Sequence, residues 1–406
     1  MRSNYKKLGQ FIRIVDVRNK EDSKDHLLGV STQKIFIDSV ANTVGTDFRS
    51  YKIVKINQFT YVPDTSRRGD KIAIAMLQSH DKALVSQAYT VFEITDHEKL
   101  DPEYLMMWFR RPEFDRYARF KSHGSVREIF EWDEMCDIEL PVPSIEIQRE
   151  IVREYNVVNY RIILNKNITK VLELTAQSIF KQWFVDFEFP ISKEHAFSMG
   201  QPELEGKPYK TSGGEMSFSK VLGIDIPSIW NVKRISEICE VINGRAYKDG
   251  EYRESGTKII RIQNLSGGNK WIYSDMTLPE NKYVSNGDLI FAWSATFGPF
   301  IWRQEKSIYH YHIWRMDCFN LDAKLFLYHH LRRVTGEVSE QGSGSIFSHI
   351  TKGLMESQNL IYPDDKTLQL FNSIAGRIDK NIELNQLSDR LCKSLMGVIE
   401  GRMSRA

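Results

Sequence analysis

The strongest constraint on what this chain can fold into is that it contains itself twice. Sliding the sequence against itself aligns Gly124-Ser125-Val126 with Gly344-Ser345-Ile346, Met135 with Met355, Pro143 with Pro363 and Leu105 with Leu325, each 220 residues apart. Upstream, Gly69-Asp70-Lys71-Ile72 matches Gly287-Asp288-Leu289-Ile290 at an offset of 218, and Leu8-Gly9-Gln10-Phe11 resembles Ile235-Ser236-Glu237-Ile238. Single Gly-Asp or Gly-Ser turns are common, but an ordered series at one offset is not. A period this long means two whole domains and not a solenoid of units of about 20–50 residues. The length of 406 residues agrees, because a single core stops growing at about 250–300 residues.

Both halves follow one plan. Short β-rich runs come first: Lys52–Ile56, Lys71–Leu77 and Tyr89–Ile94, with Lys258–Ile262, Asp288–Trp293 and Tyr309–Met316 as their expected counterparts. Gly, Pro, Asn and Asp punctuate these runs as they do strands and turns. A helical stretch follows in each half (Asp101–Lys121 and Asp322–Val338), then a strand closed by proline, then a long helix.

The long helices are the more informative part. After Pro143, Ser144 is suited to cap a helix, and no Gly or Pro occurs before Pro190. Ile151, Tyr155, Val158, Ile162, Asn165, Thr169, Leu172, Ala176 and Ile179 alternate by four and three residues, which is a heptad seam. Phe371, Ala375, Ile378, Ile382, Asn385, Asp389, Cys392, Met396 and Ile399 hold the equivalent positions in the second half. One Asn per seam, at matching places, is a known way of fixing the register of a helix pair. A helix of about 40 residues spans roughly 60 Å, far beyond the usual three to four turns, so the two helices are expected to bury each other's seams, antiparallel or crossed. The expected fold is α+β, two α/β domains alternating with two long helices that pair as a coiled coil. The boundaries fall at 1–143, 144–189, a linker at 190–223, 224–363 and 364–406.

Several kinds of chemistry are missing. There is no G-x-x-x-x-G-K-[ST] phosphate loop, and Gly342-Ser343-Gly344-Ser345 lacks the lysine. No methyltransferase tetrapeptide of the Asn-Pro-Pro-Tyr kind accompanies a cofactor-binding Gly-rich turn. Pro63-Asp64, Asp70-Lys71 and Pro363-Asp364-Asp365-Lys366 have the residue types of a nuclease site but the wrong spacing, and read as turns. Cys136, Cys239, Cys318 and Cys392 are scattered, which argues against a zinc site or a disulfide scaffold and fits a reducing cytoplasm. No metal ligand set is expected: His310 and His312 share a strand face without a third ligand, and His329-His330 reads as helix surface. No membrane span or secretory leader is visible. Net charge is only +2, yet Arg110 to Arg127 holds six basic residues against two acidic ones.

Three segments carry a resemblance: IELPVPSIEIQREIV at the start of the first long helix, LTAQSIFKQWFVDFEFP at its end, and NGDLIFAWSATFGPFIWRQEKSIYHYHIWRM in the second half. With the two-fold repeat, they resemble the specificity subunits of type I restriction–modification systems. Gln148–Val152 and Phe180–Phe187 are the family's flanking motifs of the central helix; at the end of the second helix, Ile399-Glu400-Gly401-Arg402-Met403 departs from the aromatic pattern. The resemblance implies a non-catalytic subunit with two target recognition domains, each reading one half of a bipartite double-stranded DNA site. The helices would set the spacing and dock two methyltransferase subunits, and restriction–translocase subunits would complete the complex. S-adenosylmethionine, ATP and Mg would then belong to those partners and none to this chain. A stand-alone site-specific endonuclease and a coiled-coil scaffold are the alternatives.

Side chains able to reach bases or phosphates are the candidates for DNA contact. In the first domain they are Tyr61, Arg67, Arg68, Lys71, Lys121, His123, Ser125 and Arg127. In the second they are Arg245, Tyr247, Lys248, Arg261, Asn264, Lys270, Ser294, His310, His312 and Lys352, with Trp293 either a contact or core.

Overall fold

A computed structural model describes residues 4–23, 26–39, 46–65, 71–123, 128–340 and 350–404. The chain divides into two compact units, residues 1–164 with 388–406 and residues 165–387. Both divisions fall inside the long helices, which extend over Ile145–Phe184 and Asp365–Met403.

In the first unit, Tyr5–Lys7 pairs antiparallel with Glu139–Pro141 and so brings the start of the domain to its end. A turn at Leu8–Gln10 buries Leu8, whose N–H donates to the Ile138 carbonyl at 2.8 Å. The main sheet is antiparallel, with spatial order Ile12–Val15, Thr90–Ile94, Phe59–Tyr61, Ile74–Met76. The second unit repeats each step. Asn231–Arg234 pairs with Asn359–Tyr362, the turn Ile235–Glu237 buries Ile235, and the Ile235 N–H donates to the Gln358 carbonyl at 3.0 Å. Its sheet runs Cys239–Asn243, Ile313–Cys318, Leu289–Ala292, Gly298–Ile301, which is the same first-fourth-second-third order. Even the cross-strand aromatic pair recurs. Phe59 stacks on its register partner Phe92 at 5.0 Å, and Phe291 on its partner Trp314 at 5.9 Å.

The match between halves needs correcting in two places. Lys71–Leu77 was expected opposite Asp288–Trp293, but its strand Ile74–Met76 is an edge strand, whereas Leu289–Ala292 lies between two neighbours. Phe59–Tyr61 is the true counterpart; a Gly-Asp pair is generic turn chemistry and fixes no strand order. Lys52–Lys55 pairs antiparallel with Lys82–Val85, while Thr257–Ile260 runs parallel to Ser307–Tyr309 in a second four-stranded sheet. These outer layers have diverged in topology.

The helical stretches differ for a simple reason. Pro112 breaks the first into Pro102–Phe109 and Pro112–Lys121, whereas Ala323–Glu340 is continuous. Met135 and Met355 are both fully buried on the short helices Trp132–Cys136 and Lys352–Ser357. His329, expected on the surface, is instead 5% exposed, packed against Phe180 and Phe371 with Nδ1 3.0 Å from Gln177 Nε2. Burial, helped by Arg332, pushes its pKa down to about 3. At the repeat offset the first unit has Phe109, also fully buried.

The segment 190–223, expected as a plain linker, folds onto the second unit. Phe189 stacks on Tyr209 at 4.6 Å and on Trp230 at 4.4 Å, and the Tyr209 hydroxyl donates to the Glu215 carbonyl. The aromatic residues Phe180, Trp183, Phe184 and Phe187 at the end of the first long helix belong to the same core.

None of the seam residues is exposed. In the first unit, Ile151, Tyr155 and Val158 share a core with Cys392, Met396, Ile399 and Met403, and Arg402 pairs with Glu154 at 2.5 Å. The start of one long helix thus packs on the end of the other. In the second unit, Ala176 lies beside Ala375, Ile378 and Ile382, and Phe180 contacts Phe371 at 6.0 Å, so the end of the first helix packs on the start of the second. The pair is antiparallel. Ile162 and Asn165 are buried, Asn165 to 1% exposure, while Leu172 and Asn385 are half-buried.

Candidate nucleic-acid interface

The second unit gathers its candidates where its two four-stranded sheets meet. The His310 N–H donates to the Ile260 carbonyl at 3.0 Å, and the Arg245 N–H to the Tyr309 carbonyl at 3.1 Å. This close approach requires Gly244, since a Cβ there would lie 2.2 Å from the His310 carbonyl oxygen. Arg245 makes two hydrogen bonds to Glu251, at 2.8 and 2.6 Å, and lies 5.0 Å over the Tyr247 ring. Those bonds pull the Glu251 carboxyl down to about 2. Tyr247 stacks towards His310, and its buried hydroxyl has no hydrogen-bond partner among the described residues.

Just beyond the ends of the neighbouring strands, the Trp293 N–H donates to the His312 carbonyl and its indole Nε1 to the Tyr311 carbonyl at 2.9 Å. Rings of Trp293 and His312 lie 5.1 Å apart, those of His310 and His312 4.9 Å apart, and Tyr311 is exposed. Burial lowers the pKa of both histidines below the ordinary value of 6.5, with His312 and Arg261 adding to the effect at His310. Both rings are therefore neutral at neutral pH, and each offers one donor and one acceptor. Such a surface of aromatic faces, neutral imidazoles and guanidinium groups suits base edges and sugar–phosphate backbone.

Other candidates in this unit are arranged differently. Asn264 spends both ends of its amide in its own loop: Oδ1 accepts from the Arg261 N–H, and Nδ2 donates to the carbonyls of Gly268 and Lys270. It is a loop support and drops out as a base reader. Arg261 reaches the Lys270 carbonyl, Lys248 and Lys270 are exposed, Ser294 is half-buried, and Lys352 pairs with Glu356 at 3.5 Å.

In the first unit, Arg67, Arg68, Ser125 and Arg127 lie outside the described residues. Tyr61 is 1% exposed, inside the core against Phe92 and Phe130, and is withdrawn as a DNA contact. Lys121 pairs with Glu134 at 2.9 Å, while His123 is exposed and exchanges backbone hydrogen bonds with Ile129. Lys71 is exposed on the wall of a cavity shared with Lys34, Arg110 and Arg116. Lys34 carried no local pattern that would single it out, and Arg110 and Arg116 were visible only as part of a charge run. Among the described residues no group of three or more His, Cys, Asp or Glu could hold a metal ion, and no helix is long and apolar enough to cross a membrane.

The comparisons with known proteins bear on this arrangement directly. Residues 227–389 match the type I restriction modification DNA specificity domain. The chain is 24% identical over 310 residues to the MjaIX type I restriction enzyme specificity subunit of Methanocaldococcus jannaschii, covering 72% of this chain and 66% of that one. Over 122 residues it is 30% identical to the HindI specificity subunit of Haemophilus influenzae, covering 30% and 26%. The chain therefore spans just under two thirds of the first relative and about a quarter of the second. In fold it matches the crystal structure of a type I restriction–modification S subunit from M. genitalium, with a TM-score of 0.57 and 10% identity over 98% of this chain and 95% of that one. The chain is thus similar to type I restriction–modification specificity subunits in sequence and in fold.

Proposed function

We propose that the chain is the DNA specificity subunit of a type I restriction–modification complex, each unit reading one half of a bipartite site. The observation that carries this is the recurrence of one strand order in two units, each holding the start of one long helix against the end of the other. Two similar recognition folds suit two half-sites, and two similar helix ends suit two copies of one partner. The helices fix the spacer, because their closed seams resist sliding. Asn165, the buried polar residue of the first seam, opposes shifts of register.

Outward faces of the helices support docking of methyltransferase subunits. Val157, Tyr160, Val171 and Leu174 on one helix, and Leu391 and Val398 on the other, are exposed apolar residues on otherwise charged helices. Restriction–translocase subunits complete the assembly, and catalysis with S-adenosylmethionine, ATP and magnesium is assigned to the partners. The paired test is to insert one heptad into each long helix, co-express the chain with its methyltransferase, and map the methylated sequences. A heptad adds about 10 Å of helix, or about three base pairs of duplex, so the spacer should lengthen while both half-sites persist. An unchanged spacer would refute the ruler.

A further inference from the structure

We propose that a cationic cavity in the first unit, between the turn at Thr32–Lys34 and the junction of the helices Pro102–Phe109 and Pro112–Lys121, seats a phosphodiester of the DNA backbone. The proposal rests on the DNA-binding reading above and locates a contact for it. The cavity encloses about 400 Å3, and Gln33, Lys34, Lys71, Arg110, Asp115 and Arg116 are among its walls.

Four cations therefore surround one carboxylate, and that carboxylate is already engaged. Asp115 Oδ1 accepts from Lys34 Nζ at 2.6 Å and from the Ile72 N–H at 3.1 Å. The Lys34 and Asp115 side chains are 5% and 10% exposed, and Lys34 holds a left-handed backbone with φ 63° to make the contact. This buried pair is a bolt. It ties the turn to the helix and cancels the charge that would repel an anion.

The remaining three cations have little to balance them. Lys71 and Arg110 have no carboxylate at ion-pair distance among the described residues, and Arg116 has only Glu113, at 3.9 Å. Arg110 is oriented instead by the Tyr155 ring, 6.0 Å from its guanidinium carbon. Lys71, Arg110 and Arg116 are all exposed, so an anion can reach them without rearrangement of the core. Clustered like charges raise the local potential and attract an anion, and guanidinium groups bind phosphate oxygens through paired N–H donors. A phosphate on a polymer suits an open rim of this kind, since most protein–DNA hydrogen bonds go to phosphate and sugar.

The test uses the full chain and a labelled mixed-sequence duplex, because phosphate contacts are independent of sequence. Binding is measured against salt for the wild type, for Lys71→Gln with Arg116→Gln, and for Lys220→Gln, which removes an exposed charge from the second unit. Each lost phosphate contact should reduce the slope of log K against log salt by about one. The double variant is expected to lose between one and two units of slope, Arg116→Lys alone to lose less than Arg116→Gln, and Lys220→Gln to match the wild type. An unchanged slope in the double variant overturns the proposal, as does an equal loss in Lys220→Gln. Sodium pyrophosphate in a thermal-shift assay separates the sources: stabilisation of the wild type but not of the double variant, with the slope unchanged, would mean a free anion and overturn the DNA assignment. A wild type that binds no duplex at any salt would defeat the DNA-binding reading itself.

Discussion

The two units share a strand order, a closing strand pair and a cross-strand aromatic pair, yet they fill the same places with different chemistry. Phe109 in the first unit stands where the second has His329. The first unit secures a surface turn with the buried Lys34–Asp115 pair, while the second is sheathed by the aromatic segment around Phe189 and Tyr209. Differences concentrate in the outer strands and loops, and the seams and closing strands persist. The frame recurs while the surfaces differ, a pattern that suits the proposal of two different reading heads on one scaffold.

The largest expected effects break one unit and spare the other. Phe371→Ala removes a fully buried ring packed on Phe180, Trp183 and Phe184, and should destabilise the second unit by about 3–5 kcal/mol. Asp115→Ala strands a buried lysine and should cost the first unit about 3–5 kcal/mol. Hydrogen exchange resolved by peptide checks both: protection should fall within the altered unit, and an equal loss in both would merge them into one cooperative block.

Next in size is an acid response of the second unit. His329 titrates at about 3 in the folded protein, against an ordinary 6.5. Between those values the unfolded chain binds a proton that the folded one does not. Stability is therefore complete above pH 6.5 and falls by about 1.4 kcal/mol for each pH unit below it. His329→Phe, which copies the first unit, should remove its share of this slope in denaturant titrations followed over pH and leave that of His330, which burial lowers to about 4. Smallest is Arg402→Ala. Its partner Glu150 is exposed and Glu154 half-buried at the surface, so the loss should stay within about 1 kcal/mol, and a larger change would mean the ion pairs clamp the helices.

What was legible in the sequence follows from how local each signal is. The seams were legible because nine positions repeat a period of seven over one uninterrupted run, and the buried Ile151, Ile162 and Asn165 bear out the inward face. The sequence left antiparallel and crossed pairing both open, because a heptad pattern alone does not choose between them. Strand counterparts between the halves were misread at Lys71–Leu77, where turn chemistry was taken for homology, and at Lys52–Ile56, which pairs differently from Lys258–Ile262. Tyr61 and His329 were misplaced because burial of a polar aromatic depends on neighbours distant in sequence, Phe130 and Gln177 among them. His310 and His312 were expected on one strand face but lie in the turn between Ser307–Tyr309 and Ile313–Cys318, and only sheet topology joins that turn to Arg245, Tyr247 and Trp293. The Lys34 bolt carried no pattern at all.

The central claim, that each unit reads its own half-site, is tested most directly by replacing residues 1–143 with the corresponding segment of a related chain. The chimaera is co-expressed with the methyltransferase, and the methylated genomic sequences are mapped. One half-site should change while the other half-site and the spacer stay as they were. A change in both half-sites, or in neither, would contradict the account.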